Sequence, residues 1–555
     1  MARGKMAINV GAAQVGRAAK LAWAALGGLR LVVVVALAGI LLPACGARVG
    51  PYLGASAGLG QSASGPTGGS QLTTGKRVKV GSSKTPTAQL GPSSSYSSSG
   101  TSSSGTSPSG TSSLSASSAS SKSSQAVAHT SPSSFNFSPA AEAAYCPNAN
   151  GNTASAPGVT PTSITFGNVS GLTGPLTGTF GAGYEAVTAA FDAVNARGGI
   201  CGRKLLLDVE DDGQDASRNA ADIEDLIQKP VFAFAGSLSD ADNGGVQEMV
   251  QANIPDVGFA INNNRSEAPT YWSDGGGSAL YVINGTAYSS NTVMVAQKHF
   301  GQFPTRMAIL SYSIPVSATA GEMYAKLYQQ AGATICYTDF SISEATASLQ
   351  GDVIQMQDNH CNGVYTTLDV VGNAKLLQAM QEQNFHPPFA GSTFDAYTPD
   401  QITDAGEAAA QGFQMSLPFL PLSSSNPVVQ MYISELATYE PGKTPSGFGL
   451  EDYADAQMII YALDQLGHNP TRAGMVNIFN SLTNFSVDGA VAPDTPNQRA
   501  PNFPAPNSPP LYGLAPSCYV EVEVKGNGFS RVWPSSGYFC GGAMVPVGPA
   551  STYGE

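Results

Sequence analysis

The sequence predicts an α/β fold with two similar lobes, each a mostly parallel sheet flanked by helices, and a cleft between them. The first observation is the segment 163–229, where a strand, a glycine-rich loop, a helix, a second strand and a second helix follow one another. This order is typical of a right-handed βαβ unit. The second observation is that strands and helices keep alternating to about residue 391, with the pattern restarting near Met307. Two such runs indicate two lobes and a cleft.

Each element of the opening unit has a local reason. Apolar residues between Val187 and Val194 fall at helical spacing, and Gly198-Gly199 ends that helix. Leu205–Val209 is an apolar strand, and Asp215–Lys229 is an amphipathic helix. Further along the chain, helical spacing predicts helices at Tyr288–Phe303, Pro427–Tyr439, Tyr453–Leu466 and Ala473–Leu482. Apolar runs predict strands at Val231–Gly236 and Val257–Ile261.

Composition excludes several classes of partner. The chain has 555 residues, a net charge of −13 and only 12% charged residues. Nucleic acid and anionic lipid both need a basic face, so neither is an expected partner. The five histidines are scattered, and the sequence contains no Cys-x-x-Cys motif. We therefore predict no metal and no cofactor.

Residues 1–45 are typical of a bacterial lipoprotein signal peptide. A basic segment precedes the apolar run Leu31–Leu42, which is too short to span a bilayer comfortably. The tetrad ending at Cys45 resembles a lipobox, in which the cysteine becomes the lipidated first residue of the mature protein. Pro43 departs from that pattern, and an ordinary signal peptide with a chance cysteine is the alternative. We expect a lipid-anchored protein on the extracytoplasmic side of the cell membrane.

The rest of the chain divides by composition. Residues 46–140 are rich in Ser, Gly, Thr and Pro and have few apolar side chains. Such a segment cannot bury enough surface to offset the entropy of ordering, so we predict a disordered tether. Residues 141–555 form the predicted globular domain, with one lobe at about 160–286 and 418–480 and the other at about 287–417 and 481–545.

With Cys45 set aside, six cysteines remain, an even number that suits three disulfides in an oxidising compartment. Fifteen pairings are possible, and free buried thiols are the alternative. We predict the sequential pairing, whose last pair flanks a hairpin with its turn at Lys525-Gly526-Asn527-Gly528. The predicted pairs are Cys146–Cys201, Cys336–Cys361 and Cys518–Cys540.

Polar loops follow three successive predicted strands of the first lobe, and ligands of parallel sheets bind at such carboxyl ends. Five motifs also occur in order between residues 160 and 467. They are Gly171-Leu172-Thr173-Gly174-Pro175-Leu176, Asn195-Ala196-Arg197-Gly198-Gly199-Ile200 followed by Gly202-Arg203-Lys204, Glu210-Asp211-Asp212, Gly236-Ser237-Leu238-Ser239 and Tyr453-Ala454-Asp455-Ala456. Together they resemble the type I periplasmic-binding proteins of the branched-chain amino acid (Leu/Ile/Val) family, the substrate receptors of ABC importers.

The resemblance implies a monomer with two lobes, three crossovers and a ligand trapped by hinge closure. In that family a hydroxyl and backbone N–H groups at the loop matching Ser239-Asp240 hold the carboxylate of the ligand. The loop matching Asn262 adds contacts, and the far lobe supplies an aromatic residue and an acid. The positions carried over as ligand-binding residues are Phe180, Ser239, Asp240, Asn262, Asn263, Tyr312, Asp369, Thr393 and Asp395.

Two departures from the family pattern bear on specificity. Asp240 stands where a hydroxyl residue is usual, and a carboxylate there repels an incoming carboxylate. Asn262 replaces a threonine-type hydroxyl. We therefore expect a small polar solute that is an amide, amine, polyol or small peptide-like compound as readily as an amino acid. Other interpretations remain open: Asp240 caps the following helix, Asn262 to Asn264 form a turn, and Phe180 and Tyr312 are packing residues.

The leading hypothesis is a lipid-anchored solute receptor, not an enzyme, that hands a small polar ligand to an ABC permease. A ligand-sensing receptor subunit of the same fold is an alternative. A secreted hydrolase is another, although the sequence has neither a Gly-x-Ser-x-Gly elbow nor a zincin motif. The last alternative is a structural wall protein that uses the Ser-rich segment as a stalk.

Overall fold

Two mostly parallel sheets, one in each lobe, organise the chain. The computed structural model describes residues 146, 150–273, 280–283, 286–289, 293, 304–482, 485–492, 518–539, 545–549 and 552. The predicted signal peptide, with Cys45, and the predicted 46–140 tether lie outside these residues. Among the described residues, no helix combines the length and the apolar character needed to cross a membrane.

The first lobe contains five parallel strands in the order β2-β1-β3-β4-β5. Phe166 on the second strand of this order, β1, packs against Phe191 of the first helix, with ring centroids 5.1 Å apart. The second helix is present as the sequence predicts, and Asp215 caps it by accepting hydrogen bonds from the Ser217 and Arg218 amides. The elements are β1 Ser163–Ser170, α1 Ala182–Ala196, β2 Lys204–Asp211, α2 Ala216–Gln228, β3 Phe234–Ala235, α3 Val246–Gln251, β4 Asp256–Val257, α4 Asn263–Ser266 and β5 Tyr271–Trp272.

Two strands of this lobe are shorter than the sequence predicts. The expected strands Val231–Gly236 and Val257–Ile261 have only two residues each in the sheet, β3 and β4. Gly236 has a φ of +61°, a left-handed conformation that ends the extended run. Early termination releases the following residues into loops at the carboxyl edge of the sheet.

The second lobe contains a seven-stranded sheet in the order β14-β13-β12-β11-β10-β8-β9. The strands from β8 to β12 are parallel, and β13 and β14 form an antiparallel hairpin at one edge. Lys525 pairs with Gly528 across the predicted turn. The elements are β8 Arg306–Tyr312, α5 Pro315–Gln330, β9 Thr334–Ile342, α6 Gln350–Asp358, β10 Gly363–Thr366, α7 Val370–Glu382, β11 Ala390–Ser392, α8 Pro399–Ala405, α9 Glu407–Ala410, β12 Gln414–Leu417, β13 Val520–Lys525 and β14 Gly528–Trp533.

The chain passes between the two sheets three times, after β5, after β12 and again before β13. Between the second and third passages, α10 (Pro427–Tyr439), α11 (Gly447–Leu466) and α12 (Arg472–Ser481) follow one another. Helices α10 and α11 pack on α1 of the first lobe. This connectivity makes the structure an α/β fold of the type I periplasmic-binding class, as predicted.

One predicted helix, Tyr288–Phe303, is wrong at the residues of its first turn that the structure describes as a strand. Tyr288 and Ser289, expected at the start of a helix, lie in strand β7. Strands β6 (Leu280–Ile283), β7 (Thr286–Ser289) and β15 (Val545–Pro549) form a small antiparallel sheet. Asn284-Gly285 in the sequence is a strong hairpin signal, and pairing with a strand from the C-terminal part of the chain overrides local helical spacing. Most of the remaining predicted helix lies outside the described residues.

Two of the three predicted disulfides are present, joining Cys146 to Cys201 and Cys336 to Cys361. Cys518 is also disulfide-bonded, and its predicted partner, Cys540, lies outside the described residues. The first disulfide ties the start of the globular domain to the segment that follows α1.

Candidate functional site

The candidate site lies at the carboxyl ends of the strands, where ligands of parallel sheets bind. In the first lobe, Phe180 follows β1, Ser239 and Asp240 follow β3, and Asn262 and Asn263 follow β4. In the second lobe, the predicted residues are at or just beyond the ends of β8, β10 and β11. These residues are Tyr312, Asp369, Thr393 and Asp395.

Asp369 connects the two lobes. Its side chain caps α7 by accepting a hydrogen bond from the Gly372 amide at 2.9 Å. The Tyr312 hydroxyl donates to the same carboxylate at 2.5 Å, and Thr179 of the first lobe donates to its other oxygen at 3.3 Å. The structure thus brings Tyr312 and Asp369 together and adds Thr179, which sequence reasoning missed.

The proposed capping role of Asp240 is wrong. Helix α3 begins at Val246, and its N-cap is Gly245, without a side-chain hydrogen bond. The Asp240 backbone carbonyl accepts a hydrogen bond from the Asn262 side chain at 2.8 Å. Its carboxylate oxygen Oδ1 is buried and has no hydrogen-bond partner. Since a buried carboxylate oxygen is normally satisfied, this one is available to a ligand.

A buried ion network fixes the loop that carries Asn262. Arg265 binds both carboxylate oxygens of Asp256, at 2.8 and 2.9 Å, and one oxygen of Asp242 at 3.1 Å. Asp242 in turn accepts hydrogen bonds from the side-chain and backbone nitrogens of Asn262, at 2.7 and 3.1 Å. Asn262 therefore holds the Asp240 loop in place. The neighbouring Asn263 has a buried side-chain oxygen without a hydrogen-bond partner.

Ser239 and Phe180 approach one another beside Gly171. A Cβ at Gly171 would lie 3.3 Å from both the Ser239 hydroxyl and the Phe180 ring, and 2.8 Å from Gln214. Only glycine leaves this space open. Asp211, at the end of β2, accepts hydrogen bonds from the backbone amides of Leu172 and Thr173 and so holds the glycine-rich loop.

An aromatic cluster joins the lobes next to Asp395. Phe394 of the second lobe packs edge-on against Phe259 of the first lobe, with ring centroids 5.4 Å apart, and against Phe448 of α11 at 5.7 Å. Phe259 and Phe448 are themselves 5.3 Å apart. Thr393 donates a hydrogen bond to Asp395. We call Phe259, Phe394 and Phe448 the aromatic bridge; sequence reasoning missed all three.

The electrostatics of the site are dominated by acids. Burial raises the pKa of Asp240 to about 7, and the charges of Glu344, Asp212 and Asp242 add to the effect. Burial also raises the pKa of Asp395 to about 6, with a contribution from Asp369.

Glu344, which sequence reasoning missed, belongs to the same group of acids. Its pKa is raised by burial and by Asp369, and its Oε1 is buried without a hydrogen-bond partner. The signal that could have found it is its place just beyond β9, at the same edge of the sheet. We call Asp240, Glu344, Asp369 and Asp395 the acidic cleft.

Several solved structures share this fold. A fatty acid ABC transporter substrate-binding protein from Thermomonospora curvata is 17% identical with a TM-score of 0.53, and the match covers 70% of this chain and 94% of that chain. The branched-chain amino acid transporter substrate-binding protein LivJ from Streptococcus pneumoniae, solved with isoleucine, is 11% identical with a TM-score of 0.53, covering 69% and 100%. A substrate-binding periplasmic protein from Ralstonia solanacearum is 17% identical with a TM-score of 0.54, covering 66% and 100%.

At these identities the structural likeness concerns the fold alone. No curated protein sequence shows a significant match to this chain. The family model described as "Periplasmic binding protein" matches residues 163–507, which is more than half of the chain. Its span includes both sheets except the C-terminal hairpin, together with all nine candidate residues. The chain therefore belongs to the periplasmic binding protein family.

Proposed function

We propose that this protein is an extracytoplasmic solute-binding lipoprotein that captures a small polar ligand by lobe closure and delivers it to the permease of an ABC importer. The observation that carries the proposal is the meeting of polar side chains from both lobes at one edge of the two sheets, with Thr179 and Asp369 in contact across the cleft. A ligand held by both lobes is contacted fully only in the closed state, which a permease can distinguish from the open one.

The nine candidate residues form the proposed ligand site, with no catalytic role assigned to any of them. Asp240 and Asn263 offer side-chain oxygens that are buried without hydrogen-bond partners. The structural neighbours include one protein named for fatty acids and one solved with isoleucine. For this chain we propose an amino acid or a related amide, amine or polyol.

A binding screen tests the receptor function. The mature protein, purified in detergent with its anchor, is heated in the presence of amino acids, polyamines, amides, sugars, polyols and short peptides. A ligand present at a hundred times its Kd should add about 2.7 kcal/mol of stability and raise Tm visibly. The variant Glu407→Gln is the control. It removes one negative charge from an exposed side chain outside the proposed site, so the ligand should raise its Tm by the same amount. Absence of any shift across the panel would contradict the proposal.

A second prediction concerns the anchor. The sequence pattern at Leu42-Pro43-Ala44-Cys45 supports lipidation of Cys45, and the residues 46–140 would then tether the domain over an average reach on the order of 50–60 Å. Cys45→Ala should move the protein from the membrane fraction to the extracytoplasmic soluble fraction. Pro43→Ala, which brings the tetrad closer to the usual pattern, should leave it in the membrane. Continued membrane attachment of Cys45→Ala would rule the lipid anchor out.

A further inference from the structure

We infer that the ligand is a small organic cation whose charged nitrogen binds between Asp240 of the first lobe and Glu344 of the second lobe. The inference rests on the proposed function, because it names the class of solute that the cleft between the lobes takes. It departs from the pattern in which the same loop of the first lobe holds a ligand carboxylate.

The first observation is a pair of unsatisfied carboxylate oxygens, one from each lobe. Asp240 Oδ1 and Glu344 Oε1 are both buried and have no hydrogen-bond partner. The two residues follow β3 and β9 at the carboxyl ends of the two sheets, and the negative charge of Glu344 contributes to the raised pKa of Asp240. An ammonium or guanidinium group donates several hydrogen bonds and carries the opposite charge. Bound between these acids, it would satisfy both oxygens and relieve the repulsion that opposes lobe closure.

The second observation is the sign of the surrounding charges. The negative charges of Asp212 and Asp242, like that of Glu344, raise the pKa of Asp240. The charge of Asp369 raises the pKa of both Glu344 and Asp395. Arg265, the cation of the Asn262 loop, is already bound to Asp242 and Asp256. A ligand carboxylate entering beside Asp240 would meet like charges in a partly dry cleft, whereas a cation would be attracted.

The third observation separates an organic cation from a metal ion. Within the part of the chain that the structure describes, no three carboxylates of the acidic cleft bring their oxygens close enough together to hold a metal ion. Phe394, which is partly exposed and directly precedes Asp395, offers an aromatic surface suited to the hydrocarbon part of an amine or to a cation–π contact.

The test uses titration calorimetry on the mature protein with compounds of matched skeleton. The cation is 3-methylbutylamine, the zwitterion is leucine and the anion is 4-methylpentanoate; putrescine, agmatine and choline extend the cationic set. We expect at least one cation without a carboxylate to bind and 4-methylpentanoate not to bind. Asp240→Asn and Glu344→Gln should each weaken that cation at least about tenfold, since each removes one charged hydrogen bond. Glu407→Gln, at the opposite edge of the second sheet, should leave affinity unchanged.

The pH dependence supplies an independent readout. The charged groups that raise the pKa of Asp240 are Glu344, Asp212 and Asp242. Arg265 forms an ion pair with Asp242 and so neutralises part of its charge. Because the pKa of Asp240 is raised to about 7, the residue is mostly neutral at pH 5.5 and mostly ionised at pH 8. The affinity for an amine that stays protonated should therefore rise about 30-fold over this range. Asp240→Asn should flatten the profile.

The outcomes separate this inference from the proposed function. Binding of leucine or 4-methylpentanoate with no binding of any cation would keep the receptor and overturn the cationic ligand. Binding of a cation that is insensitive to both Asp240→Asn and Glu344→Gln would overturn its placement. Failure of every compound here and in the wider screen would remove the receptor function itself. Circular dichroism and Tm of each variant establish that lost binding is not lost folding.

Discussion

Replacing Arg265 by methionine should destabilise the protein by about 3–5 kcal/mol, the usual cost of removing one partner from a buried ion pair. Arg265 is only 1% exposed, and the two carboxylates that it binds, Asp242 and Asp256, are 3% and 1% exposed. Its guanidinium also donates to the backbone carbonyls of Ser237 and Phe259, at 2.8 and 2.9 Å. Methionine keeps most of the side-chain volume but leaves both acids buried and uncompensated.

Urea unfolding of Arg265→Met and the native protein measures this cost. Arg197→Met is the matched control, because Arg197 forms an ion pair with Glu435 at 3.5 Å while its side chain is 42% exposed. Because the Arg197 guanidinium is solvated, although Glu435 is only 12% exposed, losing this pair should cost no more than about 1 kcal/mol. The same Arg265 variant should also lose ligand affinity, since the network positions Asn262 and the Asp240 loop. Equal effects of the two substitutions would contradict a special role for the buried network.

The second large effect is expected from Cys146→Ser/Cys201→Ser. This disulfide closes a loop of 55 residues. Without it the unfolded chain gains conformational entropy, and the chain-entropy relation gives a loss of about 4 kcal/mol in the free energy of unfolding. The native contacts around it should survive, because the buried Arg203 ties the same region together. Its guanidinium donates to Asn152, to the Thr153 and Thr160 carbonyls and to the His468 carbonyl.

The matched comparison is Cys336→Ser/Cys361→Ser, which opens a loop with a sequence separation of 25. The same relation gives about 3.5 kcal/mol for this pair. Both double variants should keep the native circular dichroism spectrum and unfold at lower urea concentration, with the larger shift for the longer loop. A loss below about 1 kcal/mol for the 55-residue loop would show that the crosslink does not restrict the unfolded chain.

Local patterns predicted the elements that local forces determine. The helix α2 and the β13–β14 hairpin both follow from residues within a few positions of one another. The expected helix at Tyr288 failed because strand β7 pairs with β15, more than 250 residues away in the chain. Helical spacing over a short window carries no information about such a partner.

The candidate site was predictable only in part. Strand ends predicted that Asp240, Asn262 and Asp369 lie at the carboxyl edge of the sheets, which is where the structure has them. The sequence did not reveal that the charge of Glu344 acts on Asp240, since the two residues belong to different lobes. The aromatic bridge was missed for the same reason: Phe259, Phe394 and Phe448 come from three distant segments and meet only in the folded protein.

The most direct test of the account is a crystal structure of the protein with the cation that binds most tightly in the calorimetric series. We predict a closed form in which the charged nitrogen lies about 3 Å from both Asp240 Oδ1 and Glu344 Oε1, with the hydrocarbon part of the ligand facing Phe394. A structure in which a ligand carboxylate occupies the place beside Asp240, or in which the cation binds outside the cleft, would contradict it.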